Sequence, residues 1–172
     1  MSAHTLKNKN VVIAGGAKNL GGLIARRMAE HGANVFIHYN SSATQAEAEA
    51  TLQAVQAHGV SAGLYQADLS TIANIDDLFV SAKQTLGSVD IAINTVGKVL
   101  KKPFLDTTEQ EFDEMSDINS KIAYFFMQAA GKHLNDHGKI CTIVTSLLAA
   151  YTGLYSTYED LKEERDLVIK AI

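Results

Sequence analysis

Residues 11–32, VVIAGGAKNLGGLIARRMAEHG, decide the fold, because an apolar run passes there through a glycine-rich turn into a helical pattern. Gly15, Gly16, Gly21 and Gly22 keep the turn free of bulky side chains, so its backbone amides can approach a pyrophosphate at the positive end of the helix dipole. A tight strand-to-helix connection also needs glycine for conformational reasons alone. The stretch predicts strand, turn and helix, and leaves open whether the turn binds phosphate.

Glycine closes a helical pattern at four places, and an extended apolar run follows each time. We expect a left-handed helix C-cap at each of these glycines, which are Gly32, Gly59, Gly87 and Gly138. With the first run they predict five strands, near residues 10–14, 34–39, 61–67, 89–94 and 139–145. The runs are rich in Val and Ile without strict polar alternation, which is typical of strands covered on both faces.

Helical patterns alternate with these strands, near residues 20–31, 43–58, 71–86, 109–136 and 156–170. Cap chemistry stands at three helix starts: Ser42 with Gln45, Thr108 with Glu111, and Ser70. Strict alternation predicts right-handed crossovers and a doubly wound parallel α/β sheet with helices on both faces. The ligand site of such a sheet lies at the carboxyl ends of its strands.

Composition narrows the class of protein. A chain of 172 residues fits one domain, spanning 1–172, with a core that needs no disulfide. Cys141, the single cysteine, lies in the apolar run ICTIV and is expected to be buried, so a reducing cytoplasm is the expected location. No apolar run approaches the roughly 20 residues of a membrane helix. A net charge of −4 with scattered bases argues against nucleic acid as a partner and favours small molecules.

The glycine-rich turn resembles that of the short-chain dehydrogenases/reductases, whose loop reads Thr-Gly-x-x-x-Gly-x-Gly. Ala14 stands here in place of the threonine, and Asn19 in place of the middle glycine. Asparagine enters the left-handed region more readily than other non-glycine residues, so the turn is expected to keep its shape. The resemblance implies a Rossmann fold with strand order 3-2-1-4-5.

Two motifs further along extend the resemblance. Asp68 and Leu69, after the third strand, match the family's adenine-binding pair, although Asp68 also suits a simple turn. INTVG after the fourth strand is similar to Asn-Asn-Ala-Gly, with Asn94 and Gly97 kept. The cofactor-binding residues that the resemblance implies are Gly15, Lys18, Asn19, Leu20, Gly21, Tyr39, Asn40, Ser41, Asp68, Leu69, Asn94, Val96 and Gly97.

The end of the second strand indicates which nicotinamide cofactor is preferred. A free ribose 2′-hydroxyl needs an acidic acceptor there, and VFIHYNSSATQ has none before Glu47. A 2′-phosphate needs hydroxyl or amide donors and a cation, which Tyr39, Asn40, Ser41 and Lys18 are able to supply. NADP(H) is therefore the predicted cofactor; the alternative for Lys18 is a solvated loop lysine.

Four residues resemble the family's catalytic set. Tyr158 and Lys162 have the Tyr-x-x-x-Lys spacing, which is common by itself, but Ser146 lies twelve residues before Tyr158 and Asn119 lies in the fourth helical pattern. In the family's chemistry a carbonyl that accepts hydride needs an orienting hydrogen bond and a proton donor, the implied roles of Ser146 and Tyr158. Lys162 would lower the pKa of the phenol and bind ribose, and Asn119 would hold a water for proton relay.

The remaining histidines suit helix ends better than metal sites. His31, His58 and His137 each precede a predicted cap glycine, where the helix C-terminus accommodates an imidazole. No metal is predicted.

The resemblance weakens after Lys162. Relatives have small and apolar residues there that pack against a second subunit, whereas this chain reads EDLKEERDLVIKAI, so the homo-oligomer that the family implies is less expected. Relatives run to roughly 250 residues, so the chain is expected to lack their last strands and substrate-covering segment. We therefore predict an NADP(H)-dependent oxidoreductase acting on a carbonyl or alcohol, with the 3-oxoacyl reductases as one candidate branch. The alternatives are a truncated nucleotide-binding or interaction domain with little catalysis and, ranked last, a flavodoxin-like signalling domain.

Overall fold

The computed structural model describes residues 6–144, and these form a five-stranded parallel sheet in the order β3-β2-β1-β4-β5. This confirms the predicted Rossmann topology and all five predicted strands. The strands are β1 Asn10–Ala14, β2 Asn34–Tyr39, β3 Ala62–Gln66, β4 Ile91–Asn94 and β5 Lys139–Thr142. Because β1 pairs with both β2 and β4, the chain reverses its direction of travel across the sheet at the carboxyl end of β1, where a ligand crevice is expected.

Five α-helices connect the strands: α1 Asn19–Glu30, α2 Gln45–Gln56, α3 Ile72–Leu86, α4 Glu109–Ser116 and α5 Ile122–His133. The sequence predicted α4 and α5 as one helix over 109–136. The structure corrects this, because a π-helical turn, Asp117–Lys121, separates the two. The helix predicted over 156–170 lies outside the described residues.

Apolar side chains alternate between the two faces of the sheet. Val11 and Ile13 of β1 pack with residues of α1 and α2, whereas Val12 packs with residues of α3 and α5. Phe79 and Phe126 meet in the second layer with their ring centroids 5.2 Å apart, and both are fully buried. Burial on both faces explains the nearly continuous apolar strands.

Three of the four glycine stops are confirmed: Gly32, Gly59 and Gly87 have φ angles of +88°, +75° and +86°. Gly138 was predicted wrongly, since His137 carries the positive φ of +63° instead. The reason is that Leu134, directly after α5, is already extended, so the following turn is separate from the helix end. His31 is a helix C-cap residue as predicted.

The helix starts give a mixed result. The capping box of Thr108 and Glu111 is present, with the Glu111 N–H donating to Thr108 Oγ1 at 3.3 Å and the Thr108 N–H donating to Glu111 Oε2 at 2.9 Å. Ser42 does not cap α2, because Ser42–Thr44 forms a 3₁₀ turn that moves the helix start to Gln45. Ser70 does not cap α3 either; the helix follows Thr71.

Cys141 is exposed, contrary to the prediction that it is buried. Among the described strands β5 is the edge strand, pairing with β4. Ile140 packs against the layer that contains Phe126, so Cys141 lies on the opposite face of this edge strand. An apolar run does not reveal which strand stands at the edge.

The capping box predicts acid sensitivity at the start of α4. The Lys102 ammonium, followed by the Thr108 N–H and hydroxyl, lowers the pKa of Glu111 from 4.5 to about 2. A carboxyl whose pKa is depressed on folding contributes stability above its unfolded pKa and loses it as the pH falls through the folded one. The stability difference between the wild-type chain and Glu111→Gln is therefore expected to be constant at neutral pH and to shrink between about pH 4.5 and 2.

Urea unfolding at a series of pH values measures this difference. Glu109→Gln, in the same first turn of α4, is the control. A Glu111→Gln difference of equal size at pH 7 and pH 2.5 would contradict the ionic origin of the effect.

Candidate active site

A cavity of about 600 Å³ opens at the carboxyl ends of the strands, where the sheet topology predicts a ligand site. Most of its lining comes from the turn after β1, the end of β2, the loops after β3 and β4, and the π turn before α5, with further residues from the 3₁₀ turn, α4 and the start of α5. The lining residues are Gly15, Ala17, Lys18, His38, Tyr39, Asn40, Thr44, Asp68, Leu69, Ser70, Thr95, Val96, Gly97, Lys98, Glu114, Asp117, Ile118 and Ile122.

Most of the predicted cofactor-binding residues meet in this cavity. Those that line it are Gly15, Lys18, Tyr39, Asn40, Asp68, Leu69, Val96 and Gly97. Five others lie nearby without lining it: Asn19, Leu20, Gly21, Ser41 and Asn94. Of the predicted catalytic residues, Asn119 is described, whereas Ser146, Tyr158 and Lys162 lie outside the described residues.

The glycine-rich turn depends on two conformations that few side chains tolerate. Gly15 has a φ of +75°, and Asn19 has a φ of +49°, as the substitution of asparagine for glycine predicted. Gly21 serves packing between the helix and the turn, because a Cβ built on it would lie 2.1 Å from the Gly15 carbonyl oxygen. The turn therefore tolerates asparagine at position 19 and requires glycine at position 21.

Thr95 supplies a hydroxyl to the turn from the neighbouring strand. Its Oγ1 lies 2.8 Å from the Ala14 carbonyl oxygen and 3.2 Å from that of Gly15. The family's threonine at position 14 is absent here, and Thr95 brings a hydroxyl to the same stretch of backbone. Sequence reasoning missed this role; the available signal was that Thr95 itself departs from the family motif.

His38 is a second residue that sequence reasoning missed. It is 2% exposed, and its ring lies between the turn and the end of β3. Nδ1 accepts the Gly15 N–H at 3.2 Å, and Nε2 lies 2.9 Å from the Ala67 carbonyl oxygen. Burial lowers the pKa of the His38 imidazole below its ordinary value. The available signal was a polar residue inside an otherwise apolar strand.

Asp68 and Leu69 form the wall of the cavity beyond β3. The Ser70 N–H donates to Asp68 Oδ1 at 2.9 Å, and Asn74 Nδ2 donates to the Asp68 carbonyl at 2.8 Å. Leu69 is 2% exposed and packs in the core. Asp68 therefore fulfils the turn role that the sequence left open, while its position also lines the cavity.

An ion pair stands at the outer edge of the cavity. Lys18 Nζ lies 3.1 Å from Glu47 Oε1, and both side chains are nearly half exposed. The hydrogen bond from Lys18 lowers the pKa of Glu47. Lys18 is thus paired with a carboxylate of α2 while remaining partly exposed to solvent.

Asn119 is fully buried in the π turn, and its side chain bonds to backbone atoms of Lys98 and Met115. Oδ1 accepts the Lys98 N–H at 3.1 Å, while Nδ2 donates to the carbonyl oxygens of Lys98 at 2.9 Å and Met115 at 3.1 Å. The side chain therefore joins the π turn to the loop that follows β4. These bonds place the two segments that close one side of the cavity.

Residues 6–144 contain neither a metal-binding cluster nor a membrane-spanning helix. Within that range no three side chains of His, Cys, Asp or Glu are grouped as a metal site requires. No helix in the same range has the length and apolar character needed to cross a bilayer.

The parallel sheet and its helices form a Rossmann-type fold, with the cavity at the carboxyl ends of the strands. A family model described as enoyl-(acyl carrier protein) reductase matches residues 15–170. The chain therefore belongs to the short-chain dehydrogenase/reductase family.

Several known proteins are similar to this chain. Hydroxynaphthalene reductase arp2 of Aspergillus fumigatus is 32% identical over 149 residues, which cover 87% of this chain and 53% of that protein. A Burkholderia cenocepacia protein described as a dehydrogenase and solved with bound NADP is 59% identical, with a TM-score of 0.91, over 95% of this chain and 62% of that one. A short-chain dehydrogenase of Oenococcus oeni is 51% identical, with a TM-score of 0.75, over 91% and 67%. The chain thus spans a little over half the length of the curated relatives it matches.

Proposed function

We propose that the chain forms the cofactor-binding part of an NADP(H)-dependent oxidoreductase that transfers hydride between the nicotinamide and a carbonyl or alcohol substrate. The observation that carries the proposal is the cavity in which the glycine-rich turn, the end of β2 and Lys18 meet. The bound NADP of the Burkholderia cenocepacia relative supports the same cofactor. Lys18 carries the cation, and Tyr39 and Asn40 carry the hydroxyl and amide groups, that a 2′-phosphate needs.

The residues present fit a dinucleotide. Gly15 gives the turn its left-handed conformation where a Cβ would lie 2.7 Å from Thr95 Oγ1, and α1 begins at Asn19 with the positive end of its dipole towards the turn. Leu69, Val96 and Ile118 offer apolar surface for an adenine. A cavity of about 600 Å³ lies in the range typical of cofactor sites.

In the proposed reaction the cofactor and three side chains take part in the chemistry, and a fourth side chain positions a loop. The cofactor, when bound, supplies the hydride. Ser146 hydrogen-bonds the substrate oxygen, and Tyr158 donates a proton to it as negative charge develops there. Lys162 lowers the pKa of the Tyr158 phenol through its positive charge. Asn119 holds the loop after β4 against the π turn.

A ketone is the proposed substrate class, and a 3-oxoacyl thioester is the first member to test. The matching family model is described as an enoyl-(acyl carrier protein) reductase, which suggests an acyl thioester, and the Aspergillus relative is named for hydroxynaphthalene. A second function is a nucleotide-binding domain with little catalysis. The same cavity supports this second function, because nucleotide binding by the glycine-rich turn requires no reaction to follow.

Titration of the chain with NADPH, followed by fluorescence, tests the binding part of the proposal. NADPH oxidation with a panel of ketones that includes a 3-oxoacyl thioester tests the chemistry. Binding with turnover supports the oxidoreductase, and binding without turnover supports the nucleotide-binding domain. Absence of NADPH binding would contradict both functions.

The ion pair between Lys18 and Glu47 predicts how the chain selects between NADPH and NADH. Lys18→Ala is expected to weaken NADPH binding about fivefold and to change NADH binding by less than about twofold, because the lost cation faces the 2′-phosphate. Glu47→Gln is expected to strengthen NADPH binding about twofold, since Lys18 then has no carboxylate competing for it. Dissociation constants for both cofactors measure the effect.

The pair of Arg27 and Glu30 offers a matched control, since it is an exposed ion pair on α1 outside the cavity lining. Glu30→Gln is expected to leave both dissociation constants unchanged. Equal weakening of NADPH and NADH in Lys18→Ala would show that Lys18 does not face the 2′-phosphate.

A further inference from the structure

His38 is a buried titratable side chain that the proposed chemistry does not use. It lies on β2 at the wall of the cavity and touches neighbours on both sides. On one side is the glycine-rich turn after β1, and on the other is Ala67, the residue before Asp68. Its position joins the two segments that hold opposite parts of the predicted dinucleotide site.

Two consecutive amides of the turn bond to this one residue. The Gly15 N–H donates to His38 Nδ1 at 3.2 Å, and the Gly16 N–H donates to the His38 carbonyl at 2.9 Å. From the other side, Thr95 Oγ1 bonds the carbonyl oxygens of Ala14 and Gly15. The turn is thus held through its amides by His38 and through its carbonyls by Thr95.

The bonds of the ring determine its tautomer. A carbonyl oxygen only accepts, so Nε2 must carry the hydrogen that is donated to Ala67. An amide N–H only donates, so Nδ1 must be the unprotonated nitrogen that accepts from Gly15. The neutral ring with its hydrogen on Nε2 satisfies both contacts at once, whereas a hydrogen on Nδ1 would face the Gly15 N–H.

The surroundings keep the ring neutral. Burial lowers the pKa of His38, although the Asp68 carboxylate and the bond to Ala67 act in the opposite direction. Tyr65, whose ring centroid is 6.5 Å from that of His38, has a raised pKa because of its own burial and therefore carries no charge near neutral pH. Lys18 and Lys98 are the cations that line the same cavity, and their Nζ atoms are paired with the carboxylates of Glu47 and Glu114.

We propose that His38 is a positioning residue for dinucleotide binding: its Nδ1 acceptor fixes the glycine-rich turn through the Gly15 N–H, and the bond from its Nε2 to Ala67 selects the tautomer in which Nδ1 is able to accept. The inference rests on the proposed function, because it assigns to that site the residue that sets its geometry. If His38 has this role, dinucleotide affinity depends on a hydrogen-bond acceptor at the δ position of residue 38. It does not depend on the volume of the side chain.

Substitution by Asn and by Leu provides a matched test. Both side chains branch at Cγ into two δ atoms, which are polar in Asn and apolar in Leu. His38→Asn retains an oxygen at the δ position that accepts the Gly15 N–H, so NADPH is expected to bind within about threefold of the wild-type value. His38→Leu leaves that part-buried N–H without its acceptor, so the dissociation constant is expected to rise about tenfold. Both are measured by NADPH fluorescence at a temperature where circular dichroism shows folded protein.

The outcomes separate the inference from the function on which it rests. If the wild-type chain does not bind NADPH, the proposed function fails. If it binds and folded His38→Leu binds equally well, the role of His38 alone is overturned. A His38→Asn variant as weak as His38→Leu would also overturn it, because the δ acceptor would then not be what matters.

Long-range ¹H–¹⁵N correlation on the wild-type chain adds a test that does not depend on the folding of His38→Leu. The His38 signal, assigned by its absence from the His38→Asn spectrum, is expected to show the neutral ring with its hydrogen on Nε2. A ring with its hydrogen on Nδ1 would overturn the proposal, since that hydrogen would occupy the place of the bond from Gly15.

Discussion

Gly21→Ala is expected to prevent stable folding of the chain. A methyl group at this position would lie 2.1 Å from the Gly15 carbonyl oxygen and 2.8 Å from Thr95 Oγ1. The carbonyl is backbone, and the Gly15 unit is bonded by His38 on one side and Thr95 on the other, so it has little freedom to move away. We expect the free energy of unfolding to fall by more than about 4 kcal/mol, because the methyl group would overlap backbone that cannot move away. Thermal and urea unfolding followed by circular dichroism measure the loss.

Gly131→Ala is the matched control, because Gly131 also lies in a helix and a methyl group there would meet nothing within 4 Å. Replacing an exposed helical glycine with alanine is expected to stabilise the chain by about 0.5–1 kcal/mol. If Gly21→Ala folds with a stability near that of the wild type, the turn is far less constrained than its contacts indicate.

The sheet was predictable because its signals are local. The run of Val and Ile in β1, the glycine turn after it and the left-handed stops at Gly32, Gly59 and Gly87 all act within a few residues. Alternation of strand and helix implies right-handed crossovers between parallel strands. In such a sheet the ligand site lies at the carboxyl ends of the strands, which is where the cavity is found.

The details that the sequence did not reveal depend on contacts between distant segments. Thr95 and Gly15 are 80 residues apart, His38 and Ala67 are 29 apart, and Lys18 and Glu47 are 29 apart. None of these pairs has a periodic pattern or fixed spacing. The exposed Cys141 belongs to the same class, because only strand order shows that β5 stands at the edge of the described sheet.

The π turn was missed for a different reason. Residues 109–133 are helical throughout, with a π-helical turn at Asp117–Lys121. The spacing of apolar residues in the sequence hardly changes at a single π turn, so it does not reveal one. The physical effect of this π turn is large, because it directs Asn119 at the backbone of Lys98. π turns of this kind are frequent at functional sites, and here the turn also lines the cavity.

Tyr158→Phe is expected to lower the rate of ketone reduction at least about 100-fold, because it removes the proposed proton donor and leaves the ring in place. NADPH binding is expected to stay within about twofold of the wild-type value, since the phenol acts on the substrate oxygen and not on the turn that holds the dinucleotide. The rate constant and the dissociation constant, measured on the same preparations, distinguish loss of chemistry from loss of binding.

Tyr155→Phe controls for the removal of a hydroxyl group from this stretch, because Tyr155 lies three residues earlier and has no lysine four positions after it. It is expected to turn over at the wild-type rate. Equal losses in the two variants would indicate a general effect on residues 155–158 and not proton donation. Wild-type turnover that is unchanged in Tyr158→Phe would contradict the proposed catalytic set, while the assignment of the cavity to NADPH would still depend on Lys18 and His38. The two halves of the proposed function therefore stand on separate measurements, as hydride transfer requires both a bound cofactor and a proton source.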